Sequence, residues 1–146
     1  MIRIRTSTPA DGPRILEIWR SAVDATHGFL SAQDRHDIEV EVTTFLPSLP
    51  MWLALDDEGR ATGFMVLSEG HMEALFIDAA ARGSGVGRAL VAHALGLHPN
   101  MTTDVNEQNA QAVGFYERLG VRRVGRSELD GQGRPYPLIH LRHTAA

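Results

Sequence analysis

The stretch that decides the reading of this chain is Ala81–Leu90, ARGSGVGRAL. Three glycines fall between Gly83 and Gly87, behind the apolar run Ala74–Ile77. They precede a helical stripe at Val86, Leu90, Val91, Ala94 and Leu95. A strand that ends in a glycine-rich turn and opens a helix builds an anion site. The first helical N–H groups have no partner inside the helix, and the peptide dipoles make that end positive. Glycine lets an oxygen-rich group approach the backbone closely. A phosphate or diphosphate is the natural guest, and Arg82 and Arg88 add charge on either side.

Several families use this physics, so the spacing has to choose among them. A Walker loop needs a lysine after its last glycine, and none follows here. A dinucleotide fingerprint needs a third glycine where Arg88 stands. Asp104 does lie about 20 residues further on, where a ribose-binding acid belongs. That keeps a nucleotide-dependent oxidoreductase open, although too little chain follows Asp104 for the usual doubly wound sheet. A tight turn that happens to be glycine-rich is the plain structural alternative.

Working outward, Ile2–Arg5 alternates apolar and basic residues like a half-buried strand. Thr8 and Pro9 signal a helix start, and Ile15, Ile18, Trp19 and Ala22 keep helical spacing. Ser31 with Asp34 signals a second helix carrying Ile38, Val42 and Phe45. The runs MWLAL, TGFMVLS and HMEALFID then read as three strands. The last places Met72, Ala74 and Phe76 on one face and Glu73, Leu75 and Ile77 on the other. Met101–Val105 reads as a strand, and a helix capped by Asn109 closes at Gly120. VRRVGRSEL, DGQG and YPLIHL read as a final hairpin. The order β-α-α-β-β-β-α-β-α-β-β implies an α/β or α+β fold around one twisted sheet.

The 146 residues suit a single domain, 1–146, and a charged fraction of 22% fits a folded globule. The N-terminus lacks the apolar core of a secretory signal and no run is long enough to span a membrane. The expected location is cytoplasmic, with no membrane partner. A net charge of −4 argues against general nucleic-acid binding. The absence of cysteine excludes disulfides, thiolate metal sites and a cysteine nucleophile. The seven histidines are scattered, so no metal is expected.

Two blocks in register carry a family resemblance. Arg82-x-x-Gly85-x-Gly87 after ALFID resembles the first cofactor motif of the GNAT N-acetyltransferases. Asn109-x-x-Ala112-x-x-Phe115-Tyr116-x-x-x-Gly120 resembles the second. The resemblance covers most of the chain. It implies a mixed, mostly antiparallel sheet of about seven strands with about four helices, splayed between strands four and five. Val121 and Ala79 depart from the family's usual phenylalanine and proline, which bears on packing and turn shape rather than chemistry.

The resemblance also implies a function: transfer of an acetyl group from acetyl-CoA to an amine, by direct attack in a ternary complex. Main-chain groups of Leu75, Phe76 and Ile77 would pair with the pantetheine arm, as in strand addition. The segment Arg82, Gly83, Ser84, Gly85, Val86, Gly87 and Arg88 would hold the diphosphate, and Asn109 would reach the cofactor's far arm. For Asn109 a helix cap is an equal alternative. Tyr116 would serve as general acid toward the departing sulfur, with a core tyrosine as the alternative. Glu73 is the named base. His71, Asp24 and His27 are candidates for the acceptor side, and a water chain is a further base. The acceptor is a protein lysine or a small-molecule amine, and the protein a monomer or homodimer. A noncatalytic acyl-CoA sensor is the alternative from another class.

Overall fold

The structure, a computed structural model, describes residues 2–144. The elements follow the expected order. They are β1 (Arg3–Thr6), α1 (Gly12–Thr26), α2 (Ala32–Phe45), β2 (Trp52–Leu55), β3 (Ala61–Ser68) and β4 (His71–Ile77). After the glycine turn come α3 (Val86–Leu97), β5 (Thr102–Asn106), α4 (Ala110–Arg118), β6 (Val121–Ser127) and β7 (Leu138–His143). The strands form a seven-stranded sheet in the order β1-β2-β3-β4-β5-β7-β6. The β4–β5 ladder is parallel, whereas β1–β2, β2–β3, β5–β7 and β6–β7 are antiparallel.

By contact density the chain forms two compact units. One holds residues 2–66 and 74–90, the other 67–73 and 91–144. Strand β4 and helix α3 each contribute residues to both.

In the first unit, the α1 stripe Ile15, Ile18, Trp19 and Val23 meets Leu53, Leu55, Phe64 and Val66 of β2 and β3. Spacing of three and four residues brings these side chains to one face of the helix. The helix starts where Thr8 and Pro9 put it: Thr8 caps a 3-10 turn, Pro9–Asp11, that runs directly into α1 at Gly12. The Asp11 carboxylate completes the capping box. It accepts the Thr8 N–H at 2.8 Å and both terminal nitrogens of Arg5 at 2.9 Å, which holds the chain in the turn. The second start is where Ser31 and Asp34 put it, with the Ser31 hydroxyl accepting the Asp34 N–H at 3.1 Å. Ile38 and Val42 pack on the core, but Phe45 stays 63% exposed. Leu46, in the turn that follows, is buried instead.

In the second unit, β4 and β5 share only two pairs, His71 with Thr102 and Met72 with Thr103. The ladder stops there although both strands run on, which is the splay. Strand β7 pairs with β5 from Thr102–Arg142 to Asn106–Leu138, and β6 completes this half. A register shift between Arg123 and Gly125 leaves Val124 65% exposed. Helix α4 packs on β5 and β6, burying Val113 and Tyr116. Met101 precedes β5 rather than opening it, because its N–H closes a turn onto the His98 carbonyl at 3.0 Å. No helix among the described residues is long and apolar enough to cross a membrane.

The turn before α1 gives a pH prediction. The hydrogen bonds from Arg5, opposed by burial and helped by Thr8, hold the Asp11 carboxyl down to about 2. An unfolded aspartate titrates near ~3.9. The folded value is the lower one, so the stabilisation is complete above the unfolded value and fades as pH falls through about 2. Asp11→Asn is expected to lower the melting temperature at pH 7, with the gap to the parent protein closing as the pH approaches 2. Calorimetric melts at both ends of that range check it.

Candidate active site

The glycine turn is fixed from below by one carboxylate. Asp78 ends β4 and caps the short turn Ala79–Ala81, accepting the Ala80 N–H at 3.1 Å. Its oxygens also receive the Arg14 guanidinium at 2.6 Å and the Ser21 hydroxyl at 3.0 Å. Ser21 in turn accepts the Ala79 N–H, and Arg14 donates to the Ala61 carbonyl at 2.9 Å. The carboxyl is held below its ordinary range by these hydrogen bonds, which outweigh an opposing burial effect. Gly83 and Gly85 then take φ of 81° and 88°, conformations that side-chain-bearing residues resist. The Ser84 hydroxyl donates back to the Ala81 carbonyl.

The first helical hydrogen bond recorded for α3 runs from the Ala89 N–H to the Gly85 carbonyl at 3.0 Å. The amides of Val86, Gly87 and Arg88 therefore lie ahead of it, in the first turn whose N–H groups a helix cannot itself satisfy. Arg82, Gly83, Ser84, Gly85 and Arg88 are exposed, whereas Val86 is buried.

Leu75, Phe76 and Ile77 are half-buried on β4. Phe76 packs on Phe64, with ring centroids 5.5 Å apart, and on His27 at 6.3 Å. Met72 has different partners from Phe76, although simple alternation groups the two. It meets Tyr116 in the second unit, because β4 passes from one unit to the other after Glu73. His27 caps the end of α1, with its Nδ1 2.6 Å from the Thr26 hydroxyl, and burial depresses its pKa. Asp24 is tied to Arg35 at 3.0 Å. Arg35 also binds Glu39 at 2.6 Å and lies over the Trp19 ring.

In the second unit, Tyr116 is buried at 6% exposure. Its hydroxyl points at the Met72 sulfur, 3.7 Å away. Burial pushes the phenol well above its ordinary pKa, and the Thr103 hydroxyl only partly offsets this. The phenol therefore carries its proton throughout the working range. Thr103 itself donates to the Met72 carbonyl at 2.9 Å. Tyr116, Met72 and Thr103 thus converge on the last residue pair before β4 and β5 part. Asn109 is a working cap, its side-chain oxygen accepting the Ala112 N–H at 3.3 Å.

His71 belongs to a row of polar side chains. Its Nδ1 is 2.7 Å from the Thr102 hydroxyl and its Nε2 3.3 Å from Asp104. The other Asp104 oxygen lies 2.5 Å from His140 Nδ1, whose Nε2 is 2.6 Å from the Ser127 hydroxyl. Glu73, one alternation along β4, is exposed. No group of side chains among the described residues has the makings of a metal site.

The comparisons with known proteins settle the family. Residues 31–135 match the acetyltransferase (GNAT) domain, a span that includes both motifs. The chain belongs to the GNAT acetyltransferase family. It is 52% identical over 141 residues to the peptidyl-lysine N-acetyltransferase YjaB of Salmonella typhimurium, covering 97% of each chain. It is 51% identical to the Escherichia coli YjaB, covering 100% of this chain and 99% of that one. The solution structure of apo YjaB from Escherichia coli superposes with a TM-score of 0.94, over 100% of this chain and 99% of that one. This GNAT domain is accordingly an N-acetyltransferase that takes its acetyl group from acetyl-CoA.

Sequence reasoning passed over several residues that shape the site. Asp78 carried a signal, an acid between a strand and a tight turn. Arg14 and Ser21, on α1, carried none. Asp104 was weighed only as a ribose ligand, and Thr103, Ser127 and His140 were invisible as partners because they meet through strand register.

Gly63 of β3 was also silent. A β-carbon there would sit 2.8 Å from both Ile77 Cδ1 and Val86 Cγ1, and 3.2 Å from the Phe76 carbonyl. The end of β4 and the start of α3 close on bare backbone at this point. Gly63→Ala is expected to cost about 1–3 kcal/mol by overpacking, read as a lowered midpoint in urea unfolding. An unchanged midpoint would show that both side chains move aside freely.

Proposed function

We propose that this acetyltransferase modifies lysine side chains of protein acceptors by direct amine attack in a ternary complex, with Tyr116 serving the departing sulfur. The acceptor class rests on the two relatives at 51–52% identity, both named peptidyl-lysine N-acetyltransferases. The observation that carries the mechanism is the buried, protonated phenol aimed at a sulfur beside the end of the β4–β5 ladder. A thioether is a weak acceptor, so the hydroxyl stays available for a stronger one.

The cofactor roles follow the local backbone. The amides of Gly83 and of Gly85 to Arg88 bind the diphosphate, the Ser84 N–H being donated to the Ala81 carbonyl at 3.4 Å, and Arg82 and Arg88 add charge. Main-chain groups of Leu75, Phe76 and Ile77 pair with the pantetheine arm, and a strand N–H polarises the thioester carbonyl. Asn109 keeps its cap while its residue contacts the cofactor's far arm.

A lysine ammonium titrates near ~10.4 and must lose a proton before it attacks. Glu73, exposed and without an ion-pair partner among the described residues, draws the ammonium in. His71 takes the proton, its ring holding a lone pair toward the Thr102 hydroxyl and a carboxylate behind it. The C–N bond then forms and the C–S bond breaks. The Tyr116 hydroxyl donates its proton to the sulfur as its charge develops, and burial ensures that the proton is not lost earlier. The attacking nitrogen sheds its second proton as the amide forms, and that proton restores the phenol.

Tyr116→Phe removes only the oxygen. The expected result is a kcat lower by about 10²–10⁴-fold, with coenzyme A affinity by calorimetry unchanged. Undiminished turnover would dispose of the proton-donor role. Mass spectrometry of peptides offering both an α-amine and a lysine is expected to place the acetyl group on lysine Nε. Acetylation confined to small-molecule amines would overturn the acceptor assignment.

A further inference from the structure

The row of polar side chains spanning β4, β5, β7 and β6 has a definite protonation pattern. An ionised carboxylate only accepts hydrogen bonds. The imidazole nitrogens that face Asp104 therefore both carry hydrogen, Nε2 of His71 at 3.3 Å and Nδ1 of His140 at 2.5 Å. Each ring is left with one lone pair, and each lone pair faces a hydroxyl. Thr102 donates to His71 Nδ1 at 2.7 Å, and Ser127 donates to His140 Nε2 at 2.6 Å. Every donor and acceptor is matched when both rings are neutral. Asp104 fixes the tautomers of two histidines at once.

We propose that Asp104 is the positioning residue of the proton acceptor His71, and that His140 holds Asp104 in place by its second oxygen. The inference rests on the reading that His71 takes the amine proton. It adds a reason why His71 is competent: its lone pair is fixed at Nδ1, and a carboxylate stands against the opposite nitrogen. The Thr102 hydroxyl takes the proton from the ammonium as it passes its own to Nδ1, so no atom is gained or lost there. The resulting imidazolium is held by the Asp104 charge until the proton leaves to water, since the ring is about one-third exposed. A base oriented by a third group is the recurring arrangement for this work.

Other charged groups face the same row and act on His71 at longer range. They are Glu73 on β4, Arg142 of β7, paired in register with Thr102, and Arg122 of β6, paired with Arg142. None is within ion-pair distance of the ring among the described residues. Asp104 is, at 3.3 Å.

The test begins with the unaltered protein. Nitrogen-15 labelled histidine spectra are expected to show His71 protonated at Nε2 and His140 at Nδ1. The opposite tautomer at His71 would overturn the proposal without any substitution. Asp104→Asn cannot accept from both rings. It is expected to lower kcat by about 10-fold or more, part of the ~10²–10⁴ a general base supplies. It also removes the charge that favours the imidazolium. With that charge gone from beside the ring, the acid limb of the pH–rate profile is expected at lower pH than in the parent protein. KM for acetyl-CoA stays unchanged, and Asp104→Glu restores part of the limb. An acid limb that does not move in Asp104→Asn refutes the positioning role, whatever happens to stability. His71→Gln separates the two layers. If it keeps full turnover, His71 is not the base and the inference falls with that reading. If it loses turnover while the Asp104→Asn limb stays put, only the role of Asp104 fails.

Discussion

The β4–β5 ladder contains two residue pairs and then ends. A parallel pair of strands normally continues as long as both run, because each unpaired backbone group forfeits a hydrogen bond. Here β4 continues to Ile77 and β5 to Asn106 without further pairing to each other. Main-chain groups are thereby left for another partner, and an extended pantetheine arm has the same hydrogen-bonding needs as a strand. On the last pair, Met72 and Thr103, the buried phenol converges from α4. On the pair before it, His71 and Thr102, the imidazole row begins.

The first unit shows how much support a glycine turn needs. Glycines at positive φ permit the turn but do not fix it. Fixing falls to Asp78, which gathers a backbone N–H, a guanidinium and a hydroxyl on one carboxylate. Those donors come from α1 and from the turn itself, so the glycine turn is anchored to the unit's core helix. The bare backbone of Gly63 admits the side chains of Ile77 and Val86 from either side of the same turn. These contacts hold the backbone of the turn from both sides.

Much of this was legible from residue order. Periodicity gave the α1 stripe, the strand runs and the hairpin, because burial of one face imposes a repeat of 3.6 or 2 residues. Capping chemistry placed the start of α2 at Ser31, since one side chain decides it locally. Capping likewise placed the first helical turn at Thr8 and Pro9, where Arg5 from the preceding strand also holds Asp11. Periodicity erred at Phe45, where burial passed to the adjacent Leu46 because the helix ends there and a tighter turn begins.

Sequence by itself determined the element order and the family, because each depends on residues adjacent in the chain. Only the tertiary structure decided that Asp104 lies between two imidazoles, that Thr103 flanks the Tyr116 hydroxyl, and that Asp78 anchors the glycine turn. Asp104 and His140 are 36 residues apart and meet through the register of β5 with β7. Strand register is a global outcome of core packing, and a shift of one residue turns every side chain to the other face. No local pattern encodes that choice.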